Sequence, residues 1–213
     1  MTVANPGTRD RLLAAARDEL IEGLGHLEMQ AVARRAQASV GLAYHHFGSK
    51  AGLIAAVVEE FYEQLDQAAF GGAKLPATGW ADREKARIGA YVAFHYEHPF
   101  APLVIGPLSR APEVLDVETA FTTRQLAAGA RMLEAAQRDG IVAADIDPRL
   151  TIALMIGGIR QALIEALTGE RRPDPADLTD AIWGFMAAAL RLPGTPRPRR
   201  QKPGGAAPPD VQA

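Results

Sequence analysis

The stretch 28–53, EMQAVARRAQASVGLAYHHFGSKAGL, constrains this chain most, because it places two short helix signals on either side of a tight break. Apolar residues recur three and four positions apart over 29–36, which is the spacing of one buried helical face. After the break, Ser39 can cap a second helix over 40–47 by accepting hydrogen bonds from its first turn. We interpret the stretch as a helix-turn-helix that runs into a third helix.

The residue types in this stretch suit contact with DNA. From Gln30 to Lys50 the chain has three basic residues, two histidines and no acid. DNA offers phosphate oxygens for position and base edges for sequence, so a DNA-binding surface needs cationic or N–H donors around short polar or apolar side chains. Tyr44 and Lys50, beside the helix N-terminus that Ser49 can cap, are candidate phosphate ligands. A plain amphipathic helix pair is the alternative for any one of these residues, so the inference depends on the pattern as a whole.

The motif residues of this stretch also stand at fixed intervals: Ala33-x-x-Ala36, Ser39-x-Gly41, Tyr44-x-His46-Phe47 and Ser49-Lys50-x-x-Leu53. It resembles the DNA-binding signature of the tetracycline-repressor (TetR) family of bacterial transcription regulators, over about the first quarter of the chain. The resemblance implies that 40–46 is the recognition helix, with Val40, Gly41, Leu42 and His45 directed toward bases. The predicted DNA-binding residues are Arg34, Ser39, Val40, Gly41, Leu42, Tyr44, His45 and Lys50.

Four positions depart from the family pattern. The family usually has glycine where Gln37 stands, so the backbone either accepts a bulky residue in a left-handed conformation or turns differently. It usually has threonine at Glu28, a larger aliphatic residue at Ala43, and at Gly52 a glutamate that would complete a capping box with Ser49. These changes affect the local stability of the motif more than its DNA-binding face.

Composition limits the remaining possibilities. With 23 Lys+Arg against 25 Asp+Glu among 213 residues, the chain is near neutral, so any contact with nucleic acid must be local. It has no cysteine, which excludes disulfides, thiolate metal sites and cysteine nucleophiles. The N-terminus lacks the apolar run of a signal peptide, and the longest apolar stretch, 152–159, is too short to span a bilayer. We therefore expect a cytoplasmic protein with no membrane association.

Helical periodicity throughout predicts an all-α protein, with an N-terminal helix-turn-helix head of three helices and a second, C-terminal helical domain. The resemblance implies that the head binds DNA and that the second domain serves ligand binding and dimerisation. The expected divisions are a flexible arm at 1–7, the head at 8–53, the helical domain at 54–192 and a disordered, basic, proline-rich tail at 193–213. A long helix over 49–69 links the head to the second domain. Asp147-Pro148 and Asp174-Pro175 each place a capping acid before a proline and begin the last two helices.

Those last two helices carry more apolar surface than one chain needs for its core, and small residues in the first of them would let another helix approach closely. TetR-like proteins are similar here, pairing through their final two helices. We expect a homodimer on a double-stranded DNA operator, although both stripes could instead be intrachain core. The predicted interface consists of Gly158, Ala162, Ile182, Trp183, Phe185 and Met186.

The second domain also offers apolar side chains with a few polar groups, which is the usual composition of a small-molecule pocket. The predicted pocket residues are Tyr91, Phe94, His95, Phe100, Met132 and Met155, and plain core packing is the alternative for each of them. The family resemblance implies an inducer site in this domain, and we expect a small apolar or amphipathic effector.

We find no catalytic constellation, phosphate loop or cofactor motif. His95-x-x-His98 has ligand-like spacing, but a proline follows at once and no third ligand is evident, so no metal is expected. The sequence favours a ligand-responsive transcriptional regulator, more a repressor than an activator. Two other classes stay open: a helical small-molecule-binding protein or enzyme with a vestigial helix-turn-helix, and a protein adaptor that uses DNA only to localise.

Overall fold

The computed structural model describes residues 7–71 and 78–192. The predicted arm, apart from Gly7, and the predicted tail at 193–213 lie outside the described residues. Within these two ranges the chain is helical and contains no strand, as predicted. The α-helices are α1 (Thr8–Glu22), α2 (Met29–Arg35), α3 (Val40–Phe47), α4 (Lys50–Ala69), α5 (Trp80–Glu97), α6 (Ala101–Ile105), α7 (Pro112–Arg138), α8 (Pro148–Thr168) and α9 (Pro175–Ala189), and a 3₁₀ turn covers Pro107–Arg110.

Four helices begin at the side-chain caps that the sequence predicted. Ser39 Oγ accepts a hydrogen bond from the Leu42 N–H at 3.1 Å, and Ser49 Oγ accepts one from the Gly52 N–H at 2.9 Å. The carboxylates of Asp147 and Asp174 do the same for the first turns of α8 and α9. Each cap satisfies a backbone donor that has no partner inside the helix, so the starts of α3, α4, α8 and α9 are set locally.

The two ends of α1 are set by local backbone geometry. Thr8 is the first helical residue; Gly7 takes the cap position, and its N–H donates to the Asp10 carboxylate at 3.2 Å. Leu24, just beyond the other end, is 77% exposed. The helix ends at Glu22 and Leu24 takes a positive φ of 52°, which turns its side chain away from the apolar face.

One hydrophobic cluster joins the N-terminal helices to the rest of the chain. It contains buried residues of α1, α2, α3, α4, α6 and α7 in continuous contact. Phe61 of α4 lies near its middle and makes ring contacts with Phe94, His95, His98 and Phe100. The packing therefore does not divide at residue 53, where the sequence suggested a domain boundary, because the buried face of α4 is shared by both sides.

A second cluster holds α5, α7, α8 and α9 together. Its members include Val92, Leu133, Met155, Leu163 and Leu190, each at most 2% exposed. Burial of such side chains contributes about 1.5–3 kcal/mol each relative to exposure. Helix α5 is central, because Ile88 and Val92 are buried in this cluster while its other face packs on α4.

Helix α8 is the most apolar of the long helices among the described residues. It alone there is long and apolar enough to cross a membrane by length and composition, a test that core helices of soluble proteins also pass. Its longest uninterrupted apolar stretch is 152–159, because Thr151 and Arg160 flank that stretch. Only 22% of its most apolar window is buried, so much of that apolar surface faces outward.

A Schellman motif ends α2 and makes the turn of the helix-turn-helix. The Ala38 N–H donates to the Ala33 carbonyl at 2.9 Å, and the Gln37 N–H donates to the Arg34 carbonyl at 3.2 Å. This motif needs a left-handed residue, usually glycine, and Gln37 holds that position with φ of 52°. The backbone therefore keeps the usual turn and accepts a bulky residue there.

Replacing Gln37 with glycine should stabilise the protein. A left-handed conformation costs a side-chain-bearing residue about 1–2 kcal/mol, and the greater freedom of glycine in the unfolded chain offsets part of that gain. We expect Gln37→Gly to raise the free energy of unfolding by about 0.5–1 kcal/mol, measured by urea denaturation. Gln37→Ala, which keeps the Cβ, is the control and should give no gain; an equal gain in both variants would contradict the explanation.

Candidate functional site

Helix α3 presents one face to solvent and packs the other against the head. Ala43 is fully buried, whereas Gly41, Tyr44 and His45 are exposed, with Tyr44 at 44%. Val40 and Leu42 are half-buried at the edges of the same face. Spacings of three and four residues bring the exposed groups together on a surface one helix wide, which is the shape that enters a major groove.

The two arginines at the end of α2 differ in their surroundings. Arg35 donates to Glu22 of α1 at 2.9 Å and 2.5 Å and lies within 4 Å of Asp18 and Glu19. Arg34 is exposed, and no ion pair to it occurs within the described residues. Arg35 thus braces α2 on α1, while Arg34 remains available to a phosphate. The hydrogen bonds with Arg35 also lower the pKa of Glu22.

Lys50 lies at the first position of α4 and is exposed beside the Ser49 cap. A helix N-terminus attracts anions through its free N–H groups, and Lys50 places an exposed cation beside this one. The turn that leads there is tight: Gly48 has φ of 74°, and a Cβ at Gly52 would lie 2.2 Å from the carbonyl oxygen of Phe47. A glutamate at this position, usual in the family, does not fit this backbone.

A cavity of about 690 Å³ lies between α4, α5, α7 and α8, on the side of α4 away from the head. A volume of this size accommodates a drug-sized molecule. Four of the predicted pocket residues line it, namely Tyr91, His95, Met132 and Met155. Burial raises the pKa of Tyr91 and of Tyr62, which also lines the cavity, to about 12, so both are neutral phenols at pH 7.

Phe94 and Phe100, the other two predicted pocket residues, are not part of the cavity lining. Phe100 is fully buried, and both rings pack against Phe61 in the first hydrophobic cluster. Phe94 lies on the side of α5 that meets α4, and Phe100 lies at the start of α6. Because α5 is apolar on two sides, the sequence pattern does not say which of them faces the cavity. Residues that the sequence reading missed include Glu84, Arg87, Glu118 and Arg160, whose charges gave no sign of burial.

Helix α4 reaches from the DNA-binding head to the cavity. Tyr62, Asp66 and Phe70 lie on its C-terminal half and line the cavity wall. The side-chain amide of Gln125 on α7 donates to the Asp66 carboxylate at 2.8 Å, which ties α4 to the opposite wall. The same rigid helix therefore carries Lys50 at one end and cavity contacts at the other.

The outer face of α8 and α9 is exposed and apolar. Leu150, Leu154 and Phe185 project from it, with exposures of 60%, 64% and 59%. Gly157 and Gly158 lie between them, and a Cβ at 158 would be 3.7 Å from Phe185. Of the predicted interface residues, Gly158 and Phe185 lie on this face and Ala162 and Trp183 are partly buried. Ile182 and Met186 are buried in the chain's own core, so they are not available to a partner.

The two histidines at the end of α5 have intramolecular roles. His95 Nδ1 donates to the Tyr91 carbonyl at 2.9 Å; His98 Nε2 lies 3.2 Å from Gln64 Oε1, and the Phe100 N–H donates to His98 Nδ1. Among the described residues no group of three or more potential ligands could hold a metal. Burial lowers the pKa of His95 to about 4 and that of His98 below its usual value.

His95 should make the stability of the protein sensitive to pH. The unfolded chain takes up a proton on this histidine near pH 6.5, whereas the folded protein does so only near pH 4. The contribution of neutral His95 to the free energy of unfolding is therefore complete above about pH 6.5 and is lost as the pH falls toward 4. The loss attributable to His95 is at most about 3 kcal/mol. In urea unfolding between pH 7.5 and 4.5, His95→Gln should flatten the pH dependence, and His46→Gln, which changes an exposed histidine, should not. Equal slopes in wild type and His95→Gln would contradict this origin.

Helix α2, the tight turn at Gln37 and the exposed helix α3 together form a helix-turn-helix. Residues 12–57 match the model of the bacterial regulatory proteins of the tetR family. The segment that carries the helix-turn-helix therefore matches the DNA-binding domain of the tetR family, as the residue pattern indicated.

Solved structures show that the likeness of fold extends over most of the chain. The fatty acid degradation regulator FadR from Bacillus halodurans superposes with a TM-score of 0.72 at 15% identity, covering 89% of this chain and 100% of its own. A TetR-family regulator from Mesorhizobium loti superposes with a TM-score of 0.69 at 22% identity, covering 86% of this chain and 95% of its own. GusR of Salmonella enterica superposes with a TM-score of 0.66 at 22% identity, covering 87% of this chain and 96% of its own. No curated protein sequence matches this chain.

Proposed function

We propose that this regulator is a ligand-responsive repressor that binds a near-palindromic operator as a homodimer. The observation that carries the proposal is the course of α4, which begins at the candidate phosphate contact Lys50 and ends on the wall of a 690 Å³ cavity. A ligand that prefers one position of α4 would change the spacing of the two heads. B-DNA accepts recognition helices only about 34 Å apart, or at multiples of that distance, so small movements suffice.

In this proposal the exposed face of α3 enters the major groove. Gly41 and His45 face the bases there, with Val40 and Leu42 at the edges of the face, and the two apolar side chains suit thymine methyl groups. Arg34, Ser39, Tyr44 and Lys50 surround that face and bind phosphates. Ser39 Oγ accepts from the Leu42 N–H, so its own hydroxyl proton is free to be donated.

The homodimer would form through the outer face of α8 and α9. Monomeric proteins seldom leave a continuous apolar patch of this kind in water, and the glycines allow close approach of a second helix pair. Two heads would then be fixed on one side of the DNA, which doubles the contacts that a single helix-turn-helix makes.

Lys50→Ala tests the phosphate contact. Removing one cation from a phosphate should weaken binding to specific and random DNA alike and reduce the slope of log K against log salt by about one unit. Footprinting on the DNA beside the protein's own gene first locates the operator. Fluorescence anisotropy then measures the affinity for that operator fragment and for random DNA at several salt concentrations. Lys85→Ala, which removes a lysine paired with Asp180 far from the head, is the control. A loss limited to one base position of the operator would assign Lys50 to base reading instead.

Phe185→Asp tests the dimer. A carboxylate on the apolar face of α9 would have to be buried without a partner, so the variant should be monomeric at concentrations where the wild type is dimeric. Sedimentation equilibrium measures the mass directly. Leu115→Asp, which changes another exposed apolar residue on α7, should leave the dimer intact. A dimeric Phe185→Asp protein would place the interface elsewhere.

A further inference from the structure

Aromatic rings from three helices meet along the cavity. Phe121 of α7 stacks on Tyr62 of α4 with ring centroids 4.6 Å apart, and it contacts Phe70, which directly follows α4, at 6.5 Å. Phe70 contacts Tyr91 of α5 at 6.1 Å, and Tyr91 contacts His95 at 4.5 Å. All five residues line the cavity, so these successive ring contacts form a continuous surface that we call the aromatic wall.

His95 brings one polar atom of fixed character to the aromatic wall. The residue is only 3% exposed, and its Nδ1 lies 2.9 Å from the Tyr91 carbonyl oxygen. A carbonyl oxygen can only accept, so Nδ1 carries the hydrogen and Nε2 holds a lone pair. Burial lowers the pKa of His95 to about 4, which keeps the ring in this neutral form at pH 7. Nε2 is therefore a hydrogen-bond acceptor.

Three polar atoms of the aromatic wall have no hydrogen-bond partner among the described residues, namely His95 Nε2 and the hydroxyl oxygens of Tyr62 and Tyr91. In the same part of the chain, the unpartnered side-chain atoms that are sealed from solvent belong to Glu84 and Arg87. The three atoms are therefore not sealed, and because their residues line the cavity, a molecule inside it can reach them. Buried polar groups are nearly always paired, so His95 indicates a missing hydrogen-bond donor.

The charges around the cavity favour a neutral ligand. Its three acids have partners inside the chain: Glu118 with Arg160, Asp66 with Gln125 and Glu84 with Arg87. The other two arginines of the lining, Arg124 and Arg131, are exposed to solvent. A cationic ligand would meet more arginines than acids, and an anionic one would face the lone pair of His95.

We propose that the effector of this regulator is a neutral aromatic molecule with a hydroxyl group that donates to His95 Nε2, while its rings pack against the aromatic wall. The hydroxyl groups of Tyr62 and Tyr91 are neutral and can donate to its oxygen. Aromatic rings attract one another beyond what the burial of their area contributes, so the wall favours an aromatic ligand over a saturated one of the same size. This inference rests on the proposed ligand response and specifies the chemical class of the ligand.

A set of probes related to 2-naphthol tests this class. 2-Naphthol has two fused rings and a hydroxyl group that stays neutral at pH 7.5. Each of four analogues changes one property: 2-methoxynaphthalene lacks the donor, decahydro-2-naphthol lacks the aromatic rings, 2-naphthoate is an anion and 2-naphthylmethylamine is a cation. Isothermal titration calorimetry on the full chain measures the five affinities.

We expect 2-naphthol to bind at least about ten-fold more tightly than the methoxy and charged analogues, and at least about three-fold more tightly than the saturated alcohol. Equal or tighter binding of 2-methoxynaphthalene would overturn the hydrogen bond to His95. Equal or tighter binding of the saturated alcohol would overturn the aromatic assignment. Tighter binding of either charged analogue, or no binding of 2-naphthol, would overturn the ligand class.

His95→Phe then tests the residue itself. The phenyl ring keeps a planar side chain and removes the acceptor, so the preference for 2-naphthol over 2-methoxynaphthalene should fall from about ten-fold to about one. His98→Phe changes a histidine at the end of α5 that lies outside the cavity lining, and this matched control should keep the wild-type preference. An unchanged preference in His95→Phe would remove His95 from the binding site. The ranking of probes on the wild type tests the ligand class even if this variant does not fold.

Operator binding with and without the tightest probe separates this inference from the proposed function. If 2-naphthol binds best but operator affinity does not change, the ligand class stands and the ligand response fails. If a charged or saturated analogue binds best and releases the operator, the ligand response stands and the ligand class proposed here is wrong.

Discussion

The packing of α4 is the interaction on which the rest of the structure depends. Leu53, Val57, Phe61 and Leu65 are buried along one helix, and this row is shared by the head, by α5 and by α7. Phe61→Ala would remove the ring around which five aromatic neighbours pack, a change that typically costs about 3–5 kcal/mol. A single helix therefore supplies core both to the head and to the helices around the cavity.

Electrostatics in the head keeps positive charge where DNA would approach and neutralises it elsewhere. Arg35 is held by acids of α1, and Arg17 pairs with Glu60 at 3.4 Å between α1 and α4. Arg34 and Lys50 stay exposed on the side that carries α3. A chain with net charge −2 can thus bind a polyanion at one small surface, since salt screens its other charges over roughly 8–10 Å.

Only part of the cavity lining could be predicted from the sequence pattern. Tyr91, His95, Met132 and Met155 could be predicted as cavity residues because they are large and partly polar, but Phe94 and Phe100 have the same character and face α4. Helix α5 is apolar on two sides, and only the positions of α4 and α7 determine which side meets the space between them. Glu84, Arg87, Glu118 and Arg160 resemble surface charges in the sequence. The two glutamates are buried where they pair with Arg87 and Arg160, whose side chains stay 28% and 40% exposed.

The sequence by itself determined that helices start at Ser39, Ser49, Asp147 and Asp174. It also determined the helix-turn-helix and its exposed face. Capping and the 3.6-residue periodicity both involve residues only a few positions apart in the chain, so a local pattern contains them. The sequence did not decide whether the turn keeps its usual conformation with Gln37 in place of glycine. In the structure it does, because Gln37 adopts the left-handed conformation. Tertiary structure alone decided that Ile182 and Met186 face inward while Leu154 and Phe185 face outward, and that α4 reaches the cavity. Those outcomes depend on how distant helices share a limited amount of buried surface, and no local pattern contains that information.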